Sequence, residues 1–359
     1  MPCGGVGSLF TRADSSEVAG PMEASALEQV STRRQVLAAG IAVGAALLTG
    51  CGSNGRDAAG SNRKDTAAWT FIDDRKHTVR LSERPTRLAA YQTVAAALYH
   101  WGMTPVGVFG SDPPGDPWLA DFPWAQSDLV GSVYGEIDTA KLLALKTELI
   151  VSRWYPPPDN SPLFGFHDLA GQQSIGTKVP IVGLSGRTII PVQIVRFGEF
   201  VHALGVPTGS DRIVRAHEAF DRAAERLSRV GRRRSNLRII AVSGDQDTMY
   251  VAKLASSCDM LFYSHLGVPL ISARTSDPYW DGLSWEDAGK YQADGILYDT
   301  RSFTLPLADA KRIPGFAALP AVRANQIGAW RTEAPPWYQI YADAMDEMAV
   351  TIANWRRVL

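Results

Sequence analysis

The residues most able to do chemistry in this chain are aromatic and arginine side chains that follow short apolar runs. Tyr91-Gln92 follows Arg87–Ala90, and Arg153-Trp154-Tyr155 follows Glu148–Ser152. Further along come Tyr250, Arg274, Tyr279-Trp280 and Trp330-Arg331, then Trp337-Tyr338. Trp and Tyr offer flat apolar faces with one polar tip. Arg offers forked donors for carboxylate or other oxygen-rich groups. If the apolar runs are strands of open α/β sheets, their carboxyl ends are where ligands bind. The candidate ligand-binding set is therefore Tyr91, Gln92, Arg153, Trp154, Tyr155, Tyr250, Arg274, Tyr279, Trp280, Trp330 and Arg331. Such a surface suits a bulky, oxygen-rich ligand, and Arg153, Arg274 and Arg331 lean towards an anionic one.

Patterns of catalysis are missing. The chain from Cys51 onward holds no G-x-G-x-x-G, P-loop, H-E-x-x-H or G-x-S-x-G motif. Its six histidines are scattered without ligand spacing, so no metal site is expected. Asp245-Gln246-Asp247 could supply an acid/base pair, but the same triplet reads more simply as a polar turn. The formal charge of −1 gives no footprint for nucleic acid.

The elements that must position these side chains alternate. Strands are expected at Arg87–Tyr91, Pro105–Phe109, Glu148–Ser152 and Pro180–Leu184, with helices at Thr93–Trp101, Asp138–Lys146 and within Phe164–Ile175. A small hairpin, Trp69–Ile72 with Thr78–Leu81, precedes them. After Pro191 the chain turns helical. Ser210-Asp211 caps a stripe of Ile213, Ala216, Phe220, Ala223, Leu227 and Val230, which predicts one helix of about 30 Å. A second alternation follows, with strands at Arg238–Val242, Gly295–Tyr298 and Gln326–Ala329. Its helices are expected at Cys258–His265, Trp285–Tyr291 and Tyr338–Trp355. The fold class is thus α/β, two lobes with mostly parallel sheets joined by one long connecting helix. At 359 residues, 45% apolar and 20% charged, the chain suits two such lobes.

The amino-terminal segment reads differently. Arg33-Arg34 precedes Val36–Thr49, 14 residues without a charge, which ends in Leu48-Thr49-Gly50-Cys51. The run is too short to span a bilayer but fits the apolar region of a signal peptide. It resembles a twin-arginine export signal closed by a lipobox, which implies that Cys51 becomes a lipidated amino terminus. Residues 1–50 hold three arginines against four carboxylates, so the remaining 309 residues are net neutral. The expected divisions are 1–50 export signal, 51–67 flexible tether, 68–190 first lobe, 191–236 connecting helical segment and 237–359 second lobe. Cys258 is then the one thiol left in the mature chain, expected to be an apolar filler.

Several segments in order carry a family resemblance. Arg84-Pro85-Thr86-Arg87-Leu88, Ala95–Leu98 and Gly102–Val108 resemble the opening of the iron–siderophore and vitamin B12 substrate-binding proteins of ABC importers. Leu142–Val151 (LLALKTELIV) is similar to their ALKPDLI segment, with Thr147-Glu148 for Pro-Asp. Leu283–Glu286 with Ala293–Leu297 resembles their LSxE…ADxI segment. The resemblance implies a class III substrate-binding protein without enzymatic activity or cofactor, monomeric, anchored at the outer face of the cytoplasmic membrane. It implies a ferric siderophore held between the lobes and passed to an importer permease. Family members dock through one glutamate per lobe. Glu286 matches the second position, while Ala140 stands at the first, leaving Glu136 or Asp138 to substitute. Heme or a corrinoid is an alternative cargo, with Tyr91, Tyr155 and Tyr250 as possible axial ligands for heme. An exported enzyme using Asp245 or Asp247 is the reading from another class.

Overall fold

The computed structural model describes residues 69–155 and 161–359. The expected export signal, the lipobox at Cys51 and the whole tether lie outside the described residues. The first lobe contains β1 (Trp69–Ile72), β2 (Thr78–Leu81), β3 (Leu88–Tyr91), α1 (Gln92–Trp101), β4 (Gly107–Phe109), β5 (Asp128–Gly131), α2 (Thr139–Ala144), β6 (Leu149–Trp154), α3 (Leu169–Gly176), β7 (Ile181–Ser185) and α4 (Ile190–Ala203). The connecting helix is α5 (Asp211–Arg233). The second lobe runs β8 (Ile239–Gly244), β9 (Thr248–Ala252), α6 (Cys258–His265), β10 (Trp280–Ser284) and β11 (Gly295–Asp299). It ends with α7 (Leu307–Ala310), α8 (Pro314–Ala317), α9 (Pro320–Arg323), β12 (Ile327–Trp330) and α10 (Tyr338–Ala353).

The first sheet is parallel throughout, in the order β5-β4-β3-β6-β7. The second has the order β10-β9-β8-β11-β12, with β8, β11 and β12 parallel and β9 and β10 antiparallel. The central strands β3, β6, β8 and β11 are buried nearly end to end, which is why they read as continuous apolar runs. Three strands went unread, β5, β9 and β10; only Val130 of β5 is buried. The alternating burial of β9 and β10 mixes Thr248, Tyr250 and Gly282 among apolar residues, a weaker signal than a buried run.

In each sheet the chain reverses its direction of strand addition once. In the first lobe this switch lies between β3 and β6, and in the second between β8 and β11. Loops diverge at such a point and leave a crevice beyond the carboxyl ends.

The connecting helix matches its predicted start and runs three residues past Val230. Its buried stripe is Ile213, Ala216, Phe220, Ala223, Leu227 and Gly231. Gly231 is needed there: a Cβ would lie 2.6 Å from the Gly267 backbone. α10 packs along α5, with Arg226 forked onto Asp346 and Tyr338 stacked on His217 at 4.5 Å. Trp337 closes the joint between lobes. It meets Trp101 edge-on at 5.1 Å and lies under the Arg212 guanidinium, while the Trp101 indole N–H donates to the Pro336 carbonyl. One apolar core therefore runs from the first lobe through α5 to α10.

The hairpin turn is tied down as well. The buried Asp73 carboxylate accepts from Arg75, from the His77 amide and from the Gly183 amide of β7. Asp74 donates its amide to the Gly183 carbonyl and accepts the Ser185 amide.

Candidate functional site

The first lobe's wall is built at its switch point. Tyr91 ends β3, and its buried ring lies edge-on to Phe109 and Phe164, at 6.1 and 5.7 Å. Gly165 has φ +81°, and a Cβ there would come within 2.9 Å of both the Tyr91 and Phe109 rings. Only glycine lets the rings and backbone approach this closely. Tyr155, half-buried just past β6, packs on Phe164 at 4.8 Å and covers Gly186. Tyr134 adds another edge to Phe164 at 6.4 Å. Burial first, and then the Glu333 carboxylate, push the phenols of Tyr91, Tyr134 and Tyr155 above their ordinary value. All three stay neutral hydrogen-bond donors at physiological pH.

The second lobe's wall is polar. Asp299, 2% exposed at the end of β11, accepts from the Ser243 hydroxyl of β8 and from Arg301 through Nε, Nη2 and the backbone amide. Arg301 reaches on to Glu333 at 3.2 Å. Phe303 lies on the Arg301 guanidinium at 4.7 Å and is 63% exposed.

Arg153 joins the two walls. It is 4% exposed, donates to Gln193 Oε1, and points Nη1 at the carbonyls of Glu333 and Ala334. Arg187, after β7, sits over the ring of Tyr279 at 5.2 Å, a second contact between lobes. Tyr91 and Tyr155 thus share the Phe164 ring at the ends of β3 and β6, where Arg153 lies, while Tyr279 reaches the first lobe through Arg187. Trp154, half-buried at the end of β6, packs into the core. Tyr250 stands edge-on to Trp280 at 6.3 Å, with its hydroxyl on Asp245.

Other candidates are placed elsewhere. Gln92 spends its amide within its own lobe, accepting from Ser111 and donating to Asp116. Trp330 is fully buried, with its indole N–H on Asp259. Arg331 pairs with Glu347 of α10 at 2.8 Å. Arg274 lines a cavity of about 210 Å³ with Arg238, Lys290 and Tyr291, next to the amino-terminal ends of β8 and β11. Asp245 is the hinge of a polar turn, its Oδ1 accepting from the amides of Asp247 and Thr248. Burial pushes the Cys258 thiol up to about 12. Glu136, Asp138 and Glu286 are exposed, and Asp138 also caps α2 through the Lys141 amide.

Sequence reasoning missed Tyr134, Phe164, Arg187, Arg301, Phe303 and Glu333. Arg301 obeys the same strand-end rule as Arg153 and was within its reach. Nothing local marks Glu333.

Two α/β lobes joined by one long helix make the fold of the class III substrate-binding proteins. The chain resembles the siderophore-binding members of that class. No protein-family model matches the sequence, and neither does any curated protein. Among solved structures, a ferric-siderophore receptor protein from Streptomyces coelicolor, DesE, is 28% identical. It aligns over 81% of this chain and all of its own, with a TM-score of 0.75. A siderophore periplasmic binding protein from the fuscachelin gene cluster of Thermobifida fusca shares the fold at 17% identity. It covers 75% of this chain and 96% of its own, with a TM-score of 0.55. The Bacillus subtilis protein FeuA, solved with ferri-bacillibactin, also shares the fold. It is 13% identical, with 79% and 96% coverage and a TM-score of 0.58. These neighbours are receptors and binding proteins.

Proposed function

We propose that this protein is a lipid-anchored receptor that captures a ferric siderophore between its lobes and delivers it to the permease of an ABC importer. The observation that carries this reading is the facing of two switch points across an aromatic wall, in the fold of ferric-siderophore receptors. Tyr91, Tyr134, Tyr155 and Phe164 supply area and phenolic donors, while the second lobe contributes Tyr279, which meets Arg187 of the first, and the exposed ring of Phe303. The stiff joint of α5, α10 and Trp337 favours a small closing motion. Exposed carboxylates Glu286, and Glu136 or Asp138, are the proposed docking points for the permease, and Cys51 is the proposed site of the lipid.

The test is a titration of the chain from Gly52 onward, followed by its own fluorescence, since all ten tryptophans lie beyond the leader. Saturable quenching by a ferric siderophore supports the reading. A Soret band on mixing with heme, or retained cobalamin, would instead assign a macrocycle as cargo. Silence towards every ferric chelate, confirmed by calorimetry on folded protein, would overturn the receptor. Incorporation of labelled fatty acid that disappears in Cys51→Ala tests the anchor.

A further inference from the structure

Three guanidinium groups stand at the cleft, and each is already engaged within the protein. Arg153 is held by Gln193 and two backbone carbonyls, Arg301 by Asp299 and Glu333, and Arg187 by the face of Tyr279. Two carboxylates, Asp299 and Glu333, bracket the single guanidinium of Arg301, so that cluster carries a net negative charge, while Arg153 is 4% exposed and spent on neutral acceptors. Arg274 and Arg331, which the sequence offered for an anionic ligand, point to other surroundings. A highly anionic chelate entering this cleft would meet the Glu333 carboxylate, whose side chain is 30% exposed.

Glu333 is placed for that encounter. It comes from the second lobe, yet its backbone carbonyl accepts from Arg153 at the end of β6 in the first lobe. Its backbone has φ +55°, a conformation glutamate seldom adopts. The surroundings hold that conformation on all sides. Arg153 takes the carbonyls of Glu333 and Ala334, Tyr341 donates to the Ala334 carbonyl, and Arg301 holds the carboxylate.

Resting on the ferric-siderophore reading, we infer that Glu333 selects cargo by charge, admitting ferric chelates of zero or positive charge and repelling triscatecholates. Three hydroxamates balance Fe(III) and give a neutral centre, whereas three catecholates leave a charge of −3. The carboxylate also offers an acceptor to an ammonium or amide N–H on the chelate. Specificity of this kind works by repulsion as much as attraction.

The experiment measures Kd for three iron complexes: desferrioxamine B, which keeps a free ammonium; its N-acetylated neutral form; and a triscatecholate. The wild type is expected to bind the first two at least about tenfold more tightly than the third. Glu333→Gln should weaken the cationic complex by about tenfold, and narrow the gap to the triscatecholate. Glu333→Gly, which also relieves the backbone, should shift preference in the same direction, with thermal melts confirming that both variants fold. A wild type that prefers the triscatecholate, or variants that keep the wild-type ratios, would overturn charge selection while leaving the receptor intact. A wild type that binds none of the three, nor any other ferric chelate, would remove the receptor reading and this inference with it.

Discussion

The wall from the first lobe is ring against ring, with Tyr91, Tyr134, Tyr155 and Phe164 making area and few fixed hydrogen bonds. The wall from the second lobe is a chain of hydrogen bonds, Ser243 to Asp299 to Arg301 to Glu333. Aromatic surfaces tolerate variation, because a lost edge contact forfeits only part of a dispersive total. A buried polar chain does not, because every group left without its partner carries its full desolvation cost. The first wall is therefore suited to shape and the second to selection.

The sharpest way to break this contrast is at Asp299. Asp299→Ala strands Arg301 and Ser243, and should cost about 3–5 kcal/mol of stability by denaturant unfolding. On the aromatic wall, Tyr155→Phe should cost less than about 1 kcal/mol in the same assay. Equal losses would erase the distinction. The next effect is on binding. Tyr155→Ala should weaken a captured ferric chelate by about 1–3 kcal/mol with little change in fold, read by fluorescence titration. A smaller effect concerns pH. Burial raises the Asp259 carboxyl above its ordinary value. The folded state then holds that proton more firmly than the unfolded state. Its ionisation removes stability as pH climbs from the unfolded value through the folded one, and the loss persists above it. Asp259→Asn should therefore be more stable than wild type at neutral pH, by on the order of 1 kcal/mol, and lose that advantage in acid. Melts across pH check it, and a variant less stable at neutral pH would refute it. Smallest of all, Cys258, half-buried, should react with thiol reagents at pH 8 more slowly than a free cysteine, since burial holds its thiol up to about 12.

How much of this was legible follows the same contrast. The fold was readable because β3, β6, β8 and β11 are buried on both faces and announce themselves as apolar runs. Tyr91, Arg153 and Tyr155 were readable because they end two of those runs. Trp330 also ends a strand, but the strand-end rule does not say which way a side chain turns, and this one turns into the core onto Asp259. Arg274 was misjudged because β10 went unread, and with it the direction of the neighbouring chain. Glu333 could not be read at all. Its position depends on a positive φ and on partners from β6, β11 and α10, none adjacent in sequence.

The turn at Asp73 has a consequence for self-association. β7 is the outer strand of the first sheet, and an open outer strand invites a strand from another molecule. Here Asp73, Asp74 and Arg75 already occupy the Gly183 amide and carbonyl, the Ser185 amide and the Ile181 carbonyl. The hairpin acts as a stopper on that edge. A chain shortened to begin after Leu81 would keep both lobes' sheets yet offer neighbours a ready row of unpaired groups. It should form aggregates at concentrations where the longer chain stays dispersed.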